Sequence, residues 1–180
     1  MLTLKVNDAA AQALGLSGAL RCPAPAGGLA TGLQQRLDRG LSRRGAVLTW
    51  ADSVADAGSA PSSFENLTAW ECADSSFHIE DFVPVDVAIV DDAPLISDGD
   101  QRILLVHGCA FALEFGRLVS TLDPPSPVRC IVAVNDTNAT FRFHQMREGE
   151  SWIMPELDSY RGEKVVVLDV ETALVDGAPV

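Results

Sequence analysis

Two consecutive stretches near the C-terminus show the clearest alternation of apolar and polar positions in the chain. In VRCIVAV, which begins at Val128, every second residue is apolar and shares one face. In ATFRFHQM, the same alternation places two phenylalanines on one face and Arg142 and His144 on the other. The intervening NDTN contains Asn and Asp, which favour tight turns. The pattern therefore predicts an antiparallel hairpin over residues 128–146.

Shorter patterns predict the remaining strands. Leu2, Leu4 and Val6 alternate with polar residues and indicate an opening strand, and AVLTW at 46–50 indicates a second one. KVVVLDV at 164–170 is nearly all apolar, which is typical of a strand in the middle of a sheet. Three further strand predictions cover residues 65–71, 76–83 and 85–90.

Apolar residues at helical spacing predict two main helices. Leucines recur every four residues from Leu29 to Leu41 and predict an N-terminal helix over about 29–44, with its arginines on the other faces. Asp98 or Asp100 can cap a longer helix over about 101–122, and the following DPPSP ends it because proline cannot continue a helix. Short helices are predicted over 8–14 and 155–160.

This order of elements predicts an α+β fold. The chain of 180 residues suits one domain, in which a mainly antiparallel sheet packs against the long helix at about 101–122 and the N-terminal helix at about 29–44. Segments rich in Pro, Gly, Ala and Ser predict flexible connections at about 22–28 and 51–63.

Charge is distributed unevenly along the chain. The net charge is −12, and residues 46–100 carry twelve acidic side chains without one Lys or Arg. In the predicted strands of this segment, alternation places apolar residues on one wall of the sheet and carboxylates on the other. Such a surface repels nucleic acid and anionic membranes and attracts a cationic partner.

Composition restricts the remaining function classes. No apolar run reaches the roughly 20 residues that a membrane helix needs, and the N-terminus lacks a basic region followed by an apolar stretch. We therefore expect a cytoplasmic location. The four cysteines form no C-x-x-C pair, the histidines show no zinc-binding spacing, and no phosphate-binding loop is found, so we expect neither a metal nor a cofactor.

The charge distribution favours a non-enzymatic acidic binding protein. Its most concrete form is an inhibitor or immunity protein that neutralises a basic protein partner such as a nuclease toxin, because carboxylates can occupy a site built to attract phosphate. Trp70 precedes the acidic run, and an aromatic residue beside carboxylates is typical of a binding hot spot. The predicted partner-binding residues are Trp70, Glu71, Asp74, Glu80, Asp81, Asp86, Asp91 and Asp92.

Two alternatives remain open. A small cytosolic enzyme could use a Cys/His site, since a nucleophilic thiol needs a base that holds it as thiolate. The candidates for that site are His107, Cys109 and His144. The chain could also be an assembly component of a larger complex. Alternation in the predicted hairpin argues against pairing His144 with Cys130, because it directs the two side chains to opposite faces.

Overall fold

The computed structural model describes residues 1–16, 22–54 and 61–171. Within these ranges the chain forms four α-helices and nine β-strands. The helices are α1 (Asp8–Leu14), α2 (Thr31–Asp38), α3 (Leu67–Ser75) and α4 (Asp98–Val119). The strands are β1 (Leu2–Val6), β2 (Leu41–Arg44), β3 (Val47–Trp50), β4 (Phe77–His78), β5 (Val87–Val90), β6 (Ala93–Ile96), β7 (Val128–Val134), β8 (Ala139–Gln145) and β9 (Lys164–Val170).

Five strands form the main sheet, in the order β1-β9-β7-β8-β4, and every neighbouring pair is antiparallel. The predicted hairpin is β7–β8, with Cys130 opposite Phe143 and Arg129 opposite His144. The apolar strand β9 lies between β1 and β7, so its predicted central place is confirmed. The α+β fold with a mainly antiparallel sheet is therefore confirmed.

Helix α4 covers one face of the sheet and builds the main core. Its apolar side chains pack with the inward side chains of β7, β8 and β9 in one buried cluster. Trp50 of β3 joins this cluster, with its ring centroid 5.3 Å from that of Phe143 and 5.4 Å from that of Phe115. A smaller cluster on the opposite face consists of Ile131, Ile153, Leu157, Val165 and Val167.

Gly108 allows α4 to lie against the sheet. A Cβ at this position would meet Val132 Cγ1 at 2.7 Å and Ile79 Cδ1 at 3.0 Å. These distances are shorter than van der Waals contact, so a side chain here would force the helix away from β7. The absence of a side chain at Gly108 thus permits close approach of α4 to β7 at this point.

The N-terminal helix is shorter than predicted. It ends at Asp38, and Gly40, with a φ of +74°, turns the chain into β2. Residues 41–44 then pair with 47–50 across a turn at Gly45. Leu41 therefore continues the leucine spacing but belongs to a strand.

The segment between β3 and β5 departs most from the prediction. The strand predicted over 65–71 is wrong, because Asn66 caps helix α3 by accepting a hydrogen bond from the N–H of Ala69 at 2.8 Å. The strand predicted over 76–83 extends only through Phe77–His78 before a short 3₁₀ turn at Ile79–Asp81. Part of the connection predicted over 51–63, residues 55–60, lies outside the described residues.

We predict that Gly108→Ala destabilises the protein by about 1–3 kcal/mol, because overpacking of this contact requires a backbone shift. The free energy of unfolding from urea titration measures the effect. Gly99→Ala is the matched control within the same helix, since a Cβ there meets only Ser97 Oγ at 3.7 Å. An equal cost for both variants would contradict the proposed role of the contact.

Candidate interaction surface

Glu71 is an internal structural residue and not part of a surface. Its side chain has 0% exposure, because α3 lies along the edge of β8 beyond the short strand β4. Glu71 and Ser75, one helical turn apart, both point at this edge. Glu71 Oε2 accepts the N–H of Gln145 at 2.7 Å, and Ser75 Oγ accepts the N–H of Phe143 at 2.8 Å. The two side chains thus bind main-chain donors of β8 that a longer β4 would otherwise bind.

The same carboxylate also binds β3 and a basic side chain. Glu71 Oε1 accepts the N–H of Leu48 at 2.8 Å, and Arg147 approaches the two carboxylate oxygens at 2.7 and 2.8 Å. The side-chain amide of Gln145 donates a further hydrogen bond to Glu71 Oε1 at 2.9 Å. Every part of this carboxylate is engaged and buried, so in this arrangement Glu71 has no surface that a partner could contact.

Two other predicted partner-binding carboxylates also bind groups within the chain. Asp74 accepts hydrogen bonds from the hydroxyls of Thr49 and Ser53. The side chain of Glu80 is 13% exposed, where Oε2 accepts the N–H of Ala139 at 3.0 Å and Oε1 lies 2.9 Å from the imidazole of His78. These contacts tie α3 and the following turn to the sheet and leave little carboxylate surface for a partner.

Trp70 lies on α3. Its ring is half-buried and packs edge-to-face against Phe64, with ring centroids 4.9 Å apart. This contact closes the loop before the helix, and it accounts for the position of the tryptophan without a partner.

The remaining predicted carboxylates, Asp81, Asp86, Asp91 and Asp92, are exposed. The last three belong to a segment that we call the acidic hairpin, residues 86–96, which contains β5 and β6. Asp91 and Asp92 form its two-residue turn with φ angles of 50° and 62°. Positive φ at both turn positions suits the right-handed twist of a hairpin, and aspartate tolerates it better than most residues.

The acidic hairpin exposes apolar side chains as well as carboxylates. Every residue from 86 to 95 is exposed, and Ile89 has 70% of its surface in solvent. Cross-strand pairing places Val87, Ile89 and Pro94 on one face and Val90 with Leu95 on the other. Within the described ranges β5 and β6 pair only with each other. An isolated two-stranded hairpin is marginally stable, so this one is suited to contact with another surface.

One buried residue attaches the acidic hairpin to the domain. Ile96 is 1% exposed, and its N–H donates to the carbonyl of Asp136 in the β7–β8 turn at 2.6 Å. Ser97 then caps α4 through the N–H of Asp100. The hairpin therefore projects from the junction of the long helix and the sheet.

The basic residues near the N-terminus do not neutralise the acidic hairpin. The guanidinium carbon of Arg36 lies over Trp50, 4.9 Å from the ring centroid. Arg39 forms a salt bridge with Asp52 at 2.7 Å. The guanidinium of Arg43 donates a hydrogen bond to Ser126 Oγ at 2.7 Å. Arg44 donates to the carbonyl of Ser53 at 2.8 Å. Among the described residues, no salt bridge reaches Asp86, Asp91 or Asp92.

The candidate Cys/His residues lie apart from one another. Cys109 is 1% exposed in the core beneath α4, where a hydrogen bond with Cys22 and burial raise the pKa of its thiol. His107 lies two positions earlier on the helix, and its Nδ1 accepts the N–H of Ala30 at 3.4 Å. His144 is buried on the opposite face of the sheet, 2.7 Å from the carbonyl of Gln145. A neutral buried thiol without a nearby imidazole base is a poor nucleophile.

Neither a membrane span nor a metal cluster is found in the described ranges. None of the helices there has the length and apolar character needed to cross a bilayer. Likewise, those residues contain no group of three or more His, Cys, Asp or Glu side chains arranged to hold a metal ion.

Comparison with protein families gives one match. Residues 24–176 match the Uncharacterized protein PM0498 family, from the connection before α2 to beyond β9. The chain belongs to this family. The matched region contains the acidic hairpin, Glu71 and all of its hydrogen-bond partners. No curated protein and no solved structure matches the chain.

We predict that Glu71→Gln lowers the free energy of unfolding by about 3–5 kcal/mol, because it leaves the Arg147 guanidinium without its carboxylate. Thermal and urea unfolding measure the loss. Glu114→Gln is the control, since Glu114 forms an exposed pair with Arg117 on α4 and should cost under about 1 kcal/mol. A similar small cost for both variants would show that the buried network is dispensable.

We predict that stability decreases as the pH falls from about 7.5 to 5.5. Burial lowers the pKa of His144 and of His107. As the pH falls, these two imidazoles therefore bind protons in the unfolded chain before they do so in the folded chain. The stability that they contribute is fully present above the unfolded pKa of about 6.5 and is lost below it. Urea unfolding at several pH values measures the slope, which His144→Gln should reduce. His78→Gln, which removes an exposed imidazole, is the control; equal slopes in both variants would contradict the prediction.

Proposed function

We propose that this protein is a non-enzymatic binding protein that holds a basic protein partner on the acidic hairpin. The observation that carries the proposal is the exposure of apolar and acidic side chains together on residues 86–95. Apolar residues such as Ile89 supply surface that a partner can remove from water. The carboxylates of Asp86, Asp91 and Asp92 lie at the two ends of β5 and form no salt bridge with described residues.

An apolar centre with a charged border is the usual composition of a specific interface. The centre contributes most of the affinity once water is excluded, and the border contributes orientation and association rate. The charges that the acidic hairpin itself carries have one sign, since residues 86–96 contain three aspartates and no Lys or Arg. The acidic hairpin should therefore accelerate association with a cationic surface, and this acceleration should weaken as salt screens the charges.

The most concrete form of the proposal is an inhibitor or immunity protein for a basic toxin such as a nuclease. A nuclease site attracts phosphate through basic side chains, and an aspartate-bearing hairpin presents carboxylates that can occupy it. Asp91 and Asp92 form the turn at the tip of the acidic hairpin. This tip could therefore enter a concave active site of the partner. A partner whose active site is occupied in this way could not bind its substrate, so inhibition would require no chemical reaction.

A capture experiment with matched variants tests the proposal. The tagged protein is incubated at low ionic strength with extract of the cells that encode it, and bound proteins are eluted with increasing salt. We expect a basic protein that elutes at moderate salt and that the Asp91→Asn/Asp92→Asn variant retains poorly. Asparagine preserves the positive-φ turn while removing both charges. Ile89→Thr should weaken binding at least tenfold, about 1.4 kcal/mol.

The control removes two charges elsewhere. Glu148→Gln/Glu156→Gln changes two exposed carboxylates outside the acidic hairpin and should retain the partner as well as the natural chain does. Equal retention by the hairpin variants and this control would contradict the proposal. If the captured protein degrades nucleic acid, an equimolar amount of this chain should suppress that activity, and continued degradation would exclude the inhibitor form.

A further inference from the structure

A second surface feature lies on the face of the sheet opposite α4. A groove of about 600 Å³ runs between the outer side chains of β7–β9 and the segment 152–163. This volume is in the range of small-molecule sites. Its apolar floor consists of Ile131, Ile153 and Val165. The polar and aromatic side chains around that floor include Thr140, Arg142, Trp152, Tyr160 and Glu163.

Arg142 is the basic centre of this groove. Alternation along β8 directs it away from the core, and its guanidinium donates to Thr140 Oγ1 at 3.2 Å. Its Nε is buried and has no acceptor among the described residues. No described carboxylate forms a salt bridge with it, although acidic residues outnumber basic ones by 25 to 13 in the chain. A half-buried guanidinium without a carboxylate partner is suited to bind the anionic group of a ligand.

One aromatic ring lies next to this cation, and a second lines the same groove. The guanidinium carbon of Arg142 lies 5.6 Å from the ring centroid of Trp152, whose side chain is exposed. Tyr160 is held in place because its hydroxyl accepts the N–H of Met154 at 2.9 Å. The cation–π contact orients the guanidinium, and the two rings line the groove around an apolar floor that suits a planar group.

We propose that the groove binds a small molecule in which a carboxylate or phosphate is attached to a planar ring. The anion would bind the free donors of Arg142, and the ring would lie on the floor beside Trp152 and Tyr160. This inference concerns a different surface from the acidic hairpin and does not depend on the proposed function. Glu163, the carboxylate that lines the groove outside ion-pair distance of Arg142, should oppose the anion.

Titration of the full chain with three simple probes tests the inference. Benzoate and phenyl phosphate carry the two candidate anions, and benzamide has the shape of benzoate without its charge. Amide and indole proton shifts measured by NMR report binding. We expect the indole N–H of Trp152, assigned with Trp152→Phe, to shift with at least one anion, and benzamide to bind at least tenfold more weakly than benzoate if benzoate is the better anion. The tighter of the two anions identifies the group.

Three variants separate the guanidinium from general charge effects. Arg142→Gln should weaken anion binding at least tenfold, Arg142→Lys should keep part of it, and Glu163→Gln should strengthen it. Arg117→Gln, which removes the same charge from an exposed pair on α4, should change nothing. Well-dispersed amide spectra confirm that each variant folds.

The inference is overturned if neither anion shifts the Trp152 indole, or if benzamide binds as tightly as the anions. It is also overturned if Arg117→Gln weakens binding as much as Arg142→Gln. Because Arg142→Lys retains a positive charge, its binding distinguishes loss of the guanidinium from collapse of the groove.

Discussion

The structure depends on one buried carboxylate that joins three parts of the chain. Glu71 projects from α3, accepts main-chain N–H groups from both β3 and β8, and pairs with Arg147 just beyond β8. Burial of a carboxylate is costly unless each oxygen is hydrogen-bonded and the charge is paired. Here both conditions are met, so the helix, the small β2–β3 sheet and the edge of the main sheet hold one another in a single arrangement.

This carboxylate also explains how the acidic segment divides into two parts. Glu71, Asp74 and Glu80 bind donors of the sheet and its loops, and they stabilise the fold. Val85 still packs against the core, and beyond it Asp86, Asp91 and Asp92 face water on the acidic hairpin. The same composition therefore serves internal hydrogen bonding in one half and a surface in the other. Charge density along the sequence does not distinguish these two uses.

The sequence predicts the parts of the fold that depend on local pattern. The alternation of residues 128–146 identifies the β7–β8 hairpin with its correct faces. The long helix is also predicted, although it ends at Val119, three residues before the predicted bound of 122. Helix α3 is missed because its apolar spacing is weak, although Asn66 as a cap and the four-residue spacing of Glu71 and Ser75 are available signals. The burial of Glu71 depends on partners far away in the sequence, so no local pattern indicates it. Similarly, the groove around Arg142 forms only when segment 152–163 folds back over the sheet.

The acidic hairpin has one further property that follows from Pro94. The pair Val90 and Ala93 closes the two-residue turn, so the next pair, Ile89 and Pro94, directs its main-chain nitrogens outward. The main-chain nitrogen of proline carries no hydrogen to donate. The outer edge of β6 therefore cannot form a continuous hydrogen-bonded ladder with a strand of another molecule. Edge-to-edge association of such chains through β6 is therefore disfavoured, and a partner that approaches this edge meets side chains instead of a full row of main-chain donors.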